Sequence, residues 1–189
     1  MRTKNYIMLS FLIILLNSCY KKCPEFNKKY LSWLPYNIGN ELIFVNQQLD
    51  TLYLTITTKS VSEEYEARRS CKNKCCGSDA TIIANDEYDD NYRKNALKLE
   101  IVFTYVENWI HCDIYLGKYN NHKGIAGLTN FENYVDTMTI NGFFFNEVVV
   151  LERDTIQFTD EIWKVIVANN YGIVKFYDRK SRDEWILLH

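Results

Sequence analysis

Between Leu97 and Leu116 the chain alternates with a period of two. Leu97, Leu99, Ile101, Phe103 and Tyr105 interleave with Lys98, Glu100, Val102, Thr104 and Val106, the spacing that puts one set on each face of a strand. Glu107-Asn108 supplies a two-residue turn. The return strand carries Ile110, Cys112, Ile114 and Leu116 on one face and Trp109, His111, Asp113 and Tyr115 on the other. Such a turn pairs Val106 with Trp109, which sets Phe103 opposite Cys112 and Ile101 opposite Ile114. A slip of one residue would expose the whole apolar set, so the pattern specifies its own register.

The same reading predicts further hairpins. Asn141-Gly142, between Asp136–Ile140 and Phe143–Leu151, is the strongest short-range signal for a type I′ turn. Asn169-Asn170 joins Ile162–Ala168 to Tyr171–Tyr177, and Asn tolerates positive φ. A two-residue turn there puts Trp163, Val165 and Val167 beside Phe176, Val174 and Gly172. Glu184–Leu188 is a last strand, Glu41–Asn46 and Thr51–Thr58 form another pair, and Val61–Ala67 alternates weakly as a strand. Sustained 3.6-residue periodicity is absent, so helices are few. Phe143–Leu151 and Trp163–Ala168 are apolar on both faces and need cover on both sides. The fold class is mainly β: one domain, a curved antiparallel sheet of hairpins, half-barrel or sandwich-like. Aromatic residues at 15% of the chain, led by 14 Tyr, suit such a half-buried pleated surface.

The amino terminus is different in kind. Arg2 and Lys4 precede the apolar run Ile7–Leu16, too short for a bilayer core that needs about 20 residues, so it reads as an export signal. Ending in Leu16-Asn17-Ser18-Cys19, it resembles a bacterial lipoprotein signal with its lipobox. The resemblance implies a signal peptide over 1–18 and acylation of Cys19, with membrane lipid as the partner of the acyl chains. Residues 19–29 then form a tether and 30–189 the β-rich domain. Lys21, Lys22, Lys28 and Lys29 lie on that tether, where solvation or anionic headgroups suit them. A net charge of −2 leaves no electrostatic case for nucleic acid.

Export permits disulfides. Cys112 points into the apolar face as a small hydrophobe, which leaves Cys23, Cys71, Cys75 and Cys76 as candidates, with connectivity open. Cys71-Lys72-Asn73-Lys74-Cys75-Cys76 lacks the C-x-x-C spacing of zinc or thioredoxin-like sites, and the expectation is no metal and no cofactor. Asp86–Asp90 lacks the calcium-loop pattern. His111 faces away from Cys112, His122 sits in a polar turn over Lys118–Gly124, and His189 is terminal. No catalytic motif is present, so no catalytic residue is assigned and the chain reads as a non-enzyme. Asp50-Thr51-Leu52, Asp136-Thr137-Met138 and Asp154-Thr155-Ile156 resemble the short O-glycosylation motif of exported Bacteroidota proteins, which implies sugar on Thr51, Thr137 and Thr155. Turn chemistry generates the same triplets, because Asp ends turns and Thr opens strands.

Thr139-Ile140-Asn141-Gly142, Phe145-Asn146-Glu147-Val148, Tyr171-Gly172-Ile173-Val174-Lys175-Phe176 and Trp185 together resemble uncharacterised Bacteroidota lipoproteins. The resemblance implies a β-rich envelope protein and transfers no catalytic residue. Surface-exported members carry an acidic run after the lipidated cysteine. Tyr20-Lys21-Lys22 stands there instead, which favours the periplasmic side of the outer membrane. Three function classes follow: a non-catalytic binding or scaffold lipoprotein with an envelope protein partner; a carrier of lipid or another apolar ligand in the concavity of the sheet; and a metal or redox protein built on Cys71, Cys75 and Cys76. A carrier requires a deep apolar cavity lined by the 97–116 hairpin and the 143–151 strand. A scaffold requires that face to be closed by packing, with an exposed patch elsewhere.

Overall fold

The computed structural model describes residues 25–62, 65–66, 76–86, 97–106, 109–118, 123–128, 131, 134–152, 162–178 and 181–188. Residues 1–24, and with them the expected signal and Cys19, lie outside this set, as do the Glu107-Asn108 turn, His122 and His189. Among the described residues there is one short 3-10 helix, Lys28–Trp33, and twelve strands in a single antiparallel sheet. The strands are β1 (Glu41–Val45), β2 (Thr51–Val61), β3 (Tyr65–Glu66), β4 (Cys76–Asn85), β5 (Leu97–Val106), β6 (Trp109–Lys118), β7 (Lys123–Leu128), β8 (Val135–Ile140), β9 (Phe143–Glu152), β10 (Ile162–Ala168), β11 (Gly172–Asp178) and β12 (Glu184–Leu187). Their spatial order is β7-β6-β5-β4-β2-β1-β12-β11-β10-β9-β8, with β3 paired to β4 off this path. The sheet curls so far that β7, one end of the path, packs against β9 and β10.

The β5–β6 register is the one the alternation predicts, with Val106 opposite Trp109, Phe103 opposite Cys112 and Ile101 opposite Ile114. Asn141 and Gly142 have φ of 49° and 83°, both positive as a type I′ turn demands, and Ile140 pairs with Phe143. The β10–β11 hairpin departs from expectation. Its connection runs through Tyr171, so Ala168 pairs with Gly172, Val167 with Ile173 and Val165 with Phe176. A bulge between Ile166 and Val167 shifts the register again and turns Val174 away from Val165 and Val167, into a separate apolar cluster. Two strands are additional to the sequence reading. Cys76, named above only as a disulfide candidate, opens β4, where it pairs with Glu66. Lys123 and Gly124, expected in a turn, begin β7 and pair with Leu116 and Tyr115.

Among the described residues, apolar side chains pack together over the concave face of the sheet. Its residues from β1 to β6 (Phe44, Leu54, Ile82, Ile101, Phe103 and Ile114 among them) join Val149, Leu151, Val165, Val167, Ile173 and Phe176 in one core. The filling comes from the chain preceding β1: Phe26, Tyr30, Trp33, Leu34 and Tyr36 are all buried. Asn27 starts the helical turn, its side chain accepting from the Lys29 N–H at 3.2 Å. Pro35 follows the last helical positions and disfavours helical geometry at Leu34. Phe131 is the hub of the filling, with ring centroids 4.8 Å from both Trp33 and Phe103 and 6.3 Å from Tyr30. The expected tether therefore ends early, since Phe26 is only 4% exposed and Lys28 and Lys29 open the helix.

A second apolar cluster occupies the opposite face of β9–β11: Ile140, Phe145, Val148, Ile166, Ala168 and Val174. It supplies the two-sided cover that the apolar patterns of β9 and β10 require.

Candidate functional site

The site is built around a kink in β9. Phe145 and Val148 are three positions apart, an odd spacing that should place them on opposite faces. Both nevertheless join the outer cluster, while Val149 and Leu151 join the main core. Glu147 makes the switch with φ of 52°, a left-handed conformation that costs an ordinary L-residue about 1–2 kcal/mol. The kink lets the β8–β9 hairpin bury Ile140 and Phe145 against Ile166, Ala168 and Val174.

Beside Glu147 lies the turn after β10. The Tyr171 N–H donates to the Ala168 carbonyl at 3.1 Å, and Asn170 takes φ of 65°. The Asn169 N–H donates to the Glu147 carbonyl at 3.0 Å, and the Asn170 N–H to the Ser32 carbonyl at 2.7 Å, so the turn is tied both to β9 and to the filling segment. The Asn169 Nδ2 donates to the Glu147 carboxylate. The Asn169 Oδ1 is buried without a hydrogen-bond partner among the described residues. Beneath the turn the Tyr36 ring occupies the space where Gly172 lacks a side chain, and the Ile173 N–H donates to the Tyr36 Oη at 2.6 Å. Burial pushes the Tyr36 phenol far above its usual range, against the opposing pull of that hydrogen bond.

These constraints shape a half-open pocket of about 690 Å³, lined by Phe144, Asn146, Glu147, Asn169, Asn170 and Tyr171. Phe144 is 62% exposed and Tyr171 45%. Tyr171 packs at right angles on buried Phe145, centroids 5.1 Å apart, which fixes its ring direction. No lining residue carries a positive charge. The sequence reading marks five of the six lining residues, Asn169-Asn170 as a turn and Asn146, Glu147 and Tyr171 within the resemblance pattern, but only as turn and strand residues and not as a site.

The residues singled out from sequence lie elsewhere. Cys19, Cys23, Cys71, Cys75 and Thr155, and the Cys76 side chain, lie outside what the structure describes, and with them the candidate disulfides. Thr51 opens β2 and Thr137 lies in β8, both exposed. Asp50 has a local explanation: its N–H donates to the Asn46 Oδ1 at 2.8 Å and its carboxylate accepts from the Asn46 Nδ2 at 3.1 Å, the turn chemistry that competes with the glycosylation reading. Cys112 is a buried thiol, pushed up by burial and then by nearby Asp113, away from the reactive thiolate. On the outer face His111 Nε2 lies 2.9 Å from Asp113 Oδ1. Desolvation raises the Asp113 carboxyl, and His111 opposes the rise through its charge and hydrogen bond. Cys112, between them in sequence, points to the opposite face, so it cannot act as the nucleophile of this pair. Among the described residues no cluster of three or more His, Cys, Asp or Glu could hold a metal ion.

Comparisons with protein-family models, with curated proteins and with solved structures give no match.

Proposed function

We propose that this protein is a non-catalytic binding lipoprotein of the cell envelope. Acylated Cys19 holds it to the outer membrane, facing the periplasm, and it presents the pocket between β9 and the 168–171 turn to its partner. The observation that carries the reading is a contrast between the two faces. The concave face, where a carrier would need a cavity, is occupied by Phe26, Tyr30, Trp33, Tyr36 and Phe131. The pocket that opens outward instead joins an exposed aromatic ring to a strained glutamate. Backbone strain of this kind concentrates at functional sites.

Native mass spectrometry of the protein extracted from its own envelope tests the choice between binder and carrier. The expected spectrum shows acyl chains on the chain itself and no unattached lipid. Unattached lipid at near one-to-one ratio would transfer the function to carriage. The anchor has its own test. Each buried acyl CH₂ contributes about 0.8 kcal/mol and stable attachment takes more than one chain, so Cys19→Ala should stay unprocessed or leave the membrane fraction. Unchanged processing and fractionation would remove lipidation at that residue.

A further inference from the structure

We propose that the pocket lined by Phe144, Asn146, Glu147, Asn169, Asn170 and Tyr171 binds a neutral oligosaccharide. The proposal rests on the binding reading above and names its ligand. A pyranose ring has an apolar C–H face and a rim of hydroxyls, each both donor and acceptor. The pocket offers the complement of both. Phe144, 62% exposed, and Tyr171, braced by Phe145, both line it, and aromatic rings are what a C–H face can stack on. The Asn146 and Asn170 carboxamides, each with two donors and an acceptor oxygen, line the same space, together with Asn169 and the Glu147 carboxylate that it holds. A volume of about 690 Å³ falls within the roughly 300–1,000 Å³ of small-molecule sites.

The alternatives fit less well. An apolar ligand would face four polar residues out of six. Phosphorylated or uronic ligands would meet a carboxylate and no cation, so electrostatics selects a neutral glycan. A bilayer surface calls for protruding aromatics flanked by Lys or Arg, whereas these rings border a concavity. The energetics point the same way. Glycine or asparagine would suit the left-handed kink of β9 better than Glu147 does, yet the residue there sends a carboxylate to Asn169.

Isothermal titration of the full chain in detergent tests the proposal. The probes are neutral tetrasaccharides of β-1,4-glucose, α-1,4-glucose, mannose and β-1,4-N-acetylglucosamine, with tetragalacturonate as the acidic comparison. At least one neutral tetrasaccharide should bind, and tetragalacturonate at least about tenfold more weakly, given the carboxylate in an uncompensated site. Phe144→Ala and Asn146→Ala, both at exposed positions, should each weaken binding by about fivefold to tenfold. Tyr53→Ala, which removes an exposed ring on β2, should leave it within about twofold. Circular dichroism on each variant confirms that the fold is kept. The proposal is overturned if no neutral probe binds, if the acidic probe binds as tightly, or if Phe144→Ala and Asn146→Ala both leave affinity unchanged. A photo-crosslinker placed at position 144 in cells separates this failure from failure of the binding reading. Without glycan affinity, a specific protein crosslink keeps the binder and discards the sugar, and no crosslink discards both.

Discussion

Gly172 is where the filling of the sheet meets the turn that shapes the pocket, and replacing it measures that contact. Gly172 has φ of 76°, and a Cβ built there would lie 2.0 Å from the Tyr36 Oη and 2.3 Å from its Cζ. Tyr36 cannot swing aside cheaply, because it is buried and its hydroxyl accepts the Ile173 N–H. Gly172→Ala therefore incurs two costs: about 1–2 kcal/mol for a left-handed L-residue and about 1–3 kcal/mol for overpacking. Gly142→Ala is the control. Its φ is 83°, and nothing lies within 4 Å of the added methyl, so it incurs only the first cost. Urea unfolding followed by Trp fluorescence should place Gly172→Ala below Gly142→Ala by about 1–3 kcal/mol at equal m value. Adding Tyr36→Phe should not rescue the variant, since the ring carbon at 2.3 Å remains. Equal midpoints for the two glycine variants would refute the claim that Tyr36 packs against this turn.

Two further outcomes follow from the same core. Tyr36 has a folded-state pKa raised above the unfolded value of 10.0, so above pH of about 10 the unfolded chain gives up this proton first and stability falls as pH rises. Urea midpoints between pH 8 and 11 should decline more steeply in the wild type than in Tyr36→Phe; parallel declines would assign the loss to other groups. Phe131, buried among Tyr30, Trp33 and Phe103, should cost about 3–5 kcal/mol when changed to Ala, and a loss under about 1 kcal/mol in thermal unfolding would show that it is not the hub of the filling.

The hairpins that were legible share one property: their information is local. In β5–β6 the alternation along two ten-residue strands leaves a single register that buries Phe103 and Cys112 together. At Asn141-Gly142 the turn chemistry alone specifies two positive φ values. The errors share a property as well. β10–β11 departs from its expected pairing first because the connection takes in Tyr171 as a third residue, and again at the bulge between Ile166 and Val167, which no local pattern announces. β4 and β7 begin in Cys- and Gly-containing segments with weak alternation, and their pairing to β5 and β6 makes them strands. Phe26 falls within the expected tether of 19–29, where a ring among lysines carries no periodic signal; Tyr30 and Trp33 begin the domain, and their burial depends on the strands they pack against.

By itself, then, the order of residues determined a β-rich chain, the faces of its best hairpins, the inward aim of Cys112 and an exported amino terminus as an expectation. Those follow from side-chain periodicity and turn conformations, which act over a few residues. The tertiary structure alone decided which described residues pack over the concave face, because they arrive from before β1 and from Phe131. It also decided where the pocket lies. Phe144, Glu147 and Tyr171 belong to two hairpins, and they converge only once Glu147 kinks β9 and Ser32 and Tyr36 brace the turn after β10. No local pattern carries that convergence, since it depends on how far a curved sheet must turn to close around its own aromatic core.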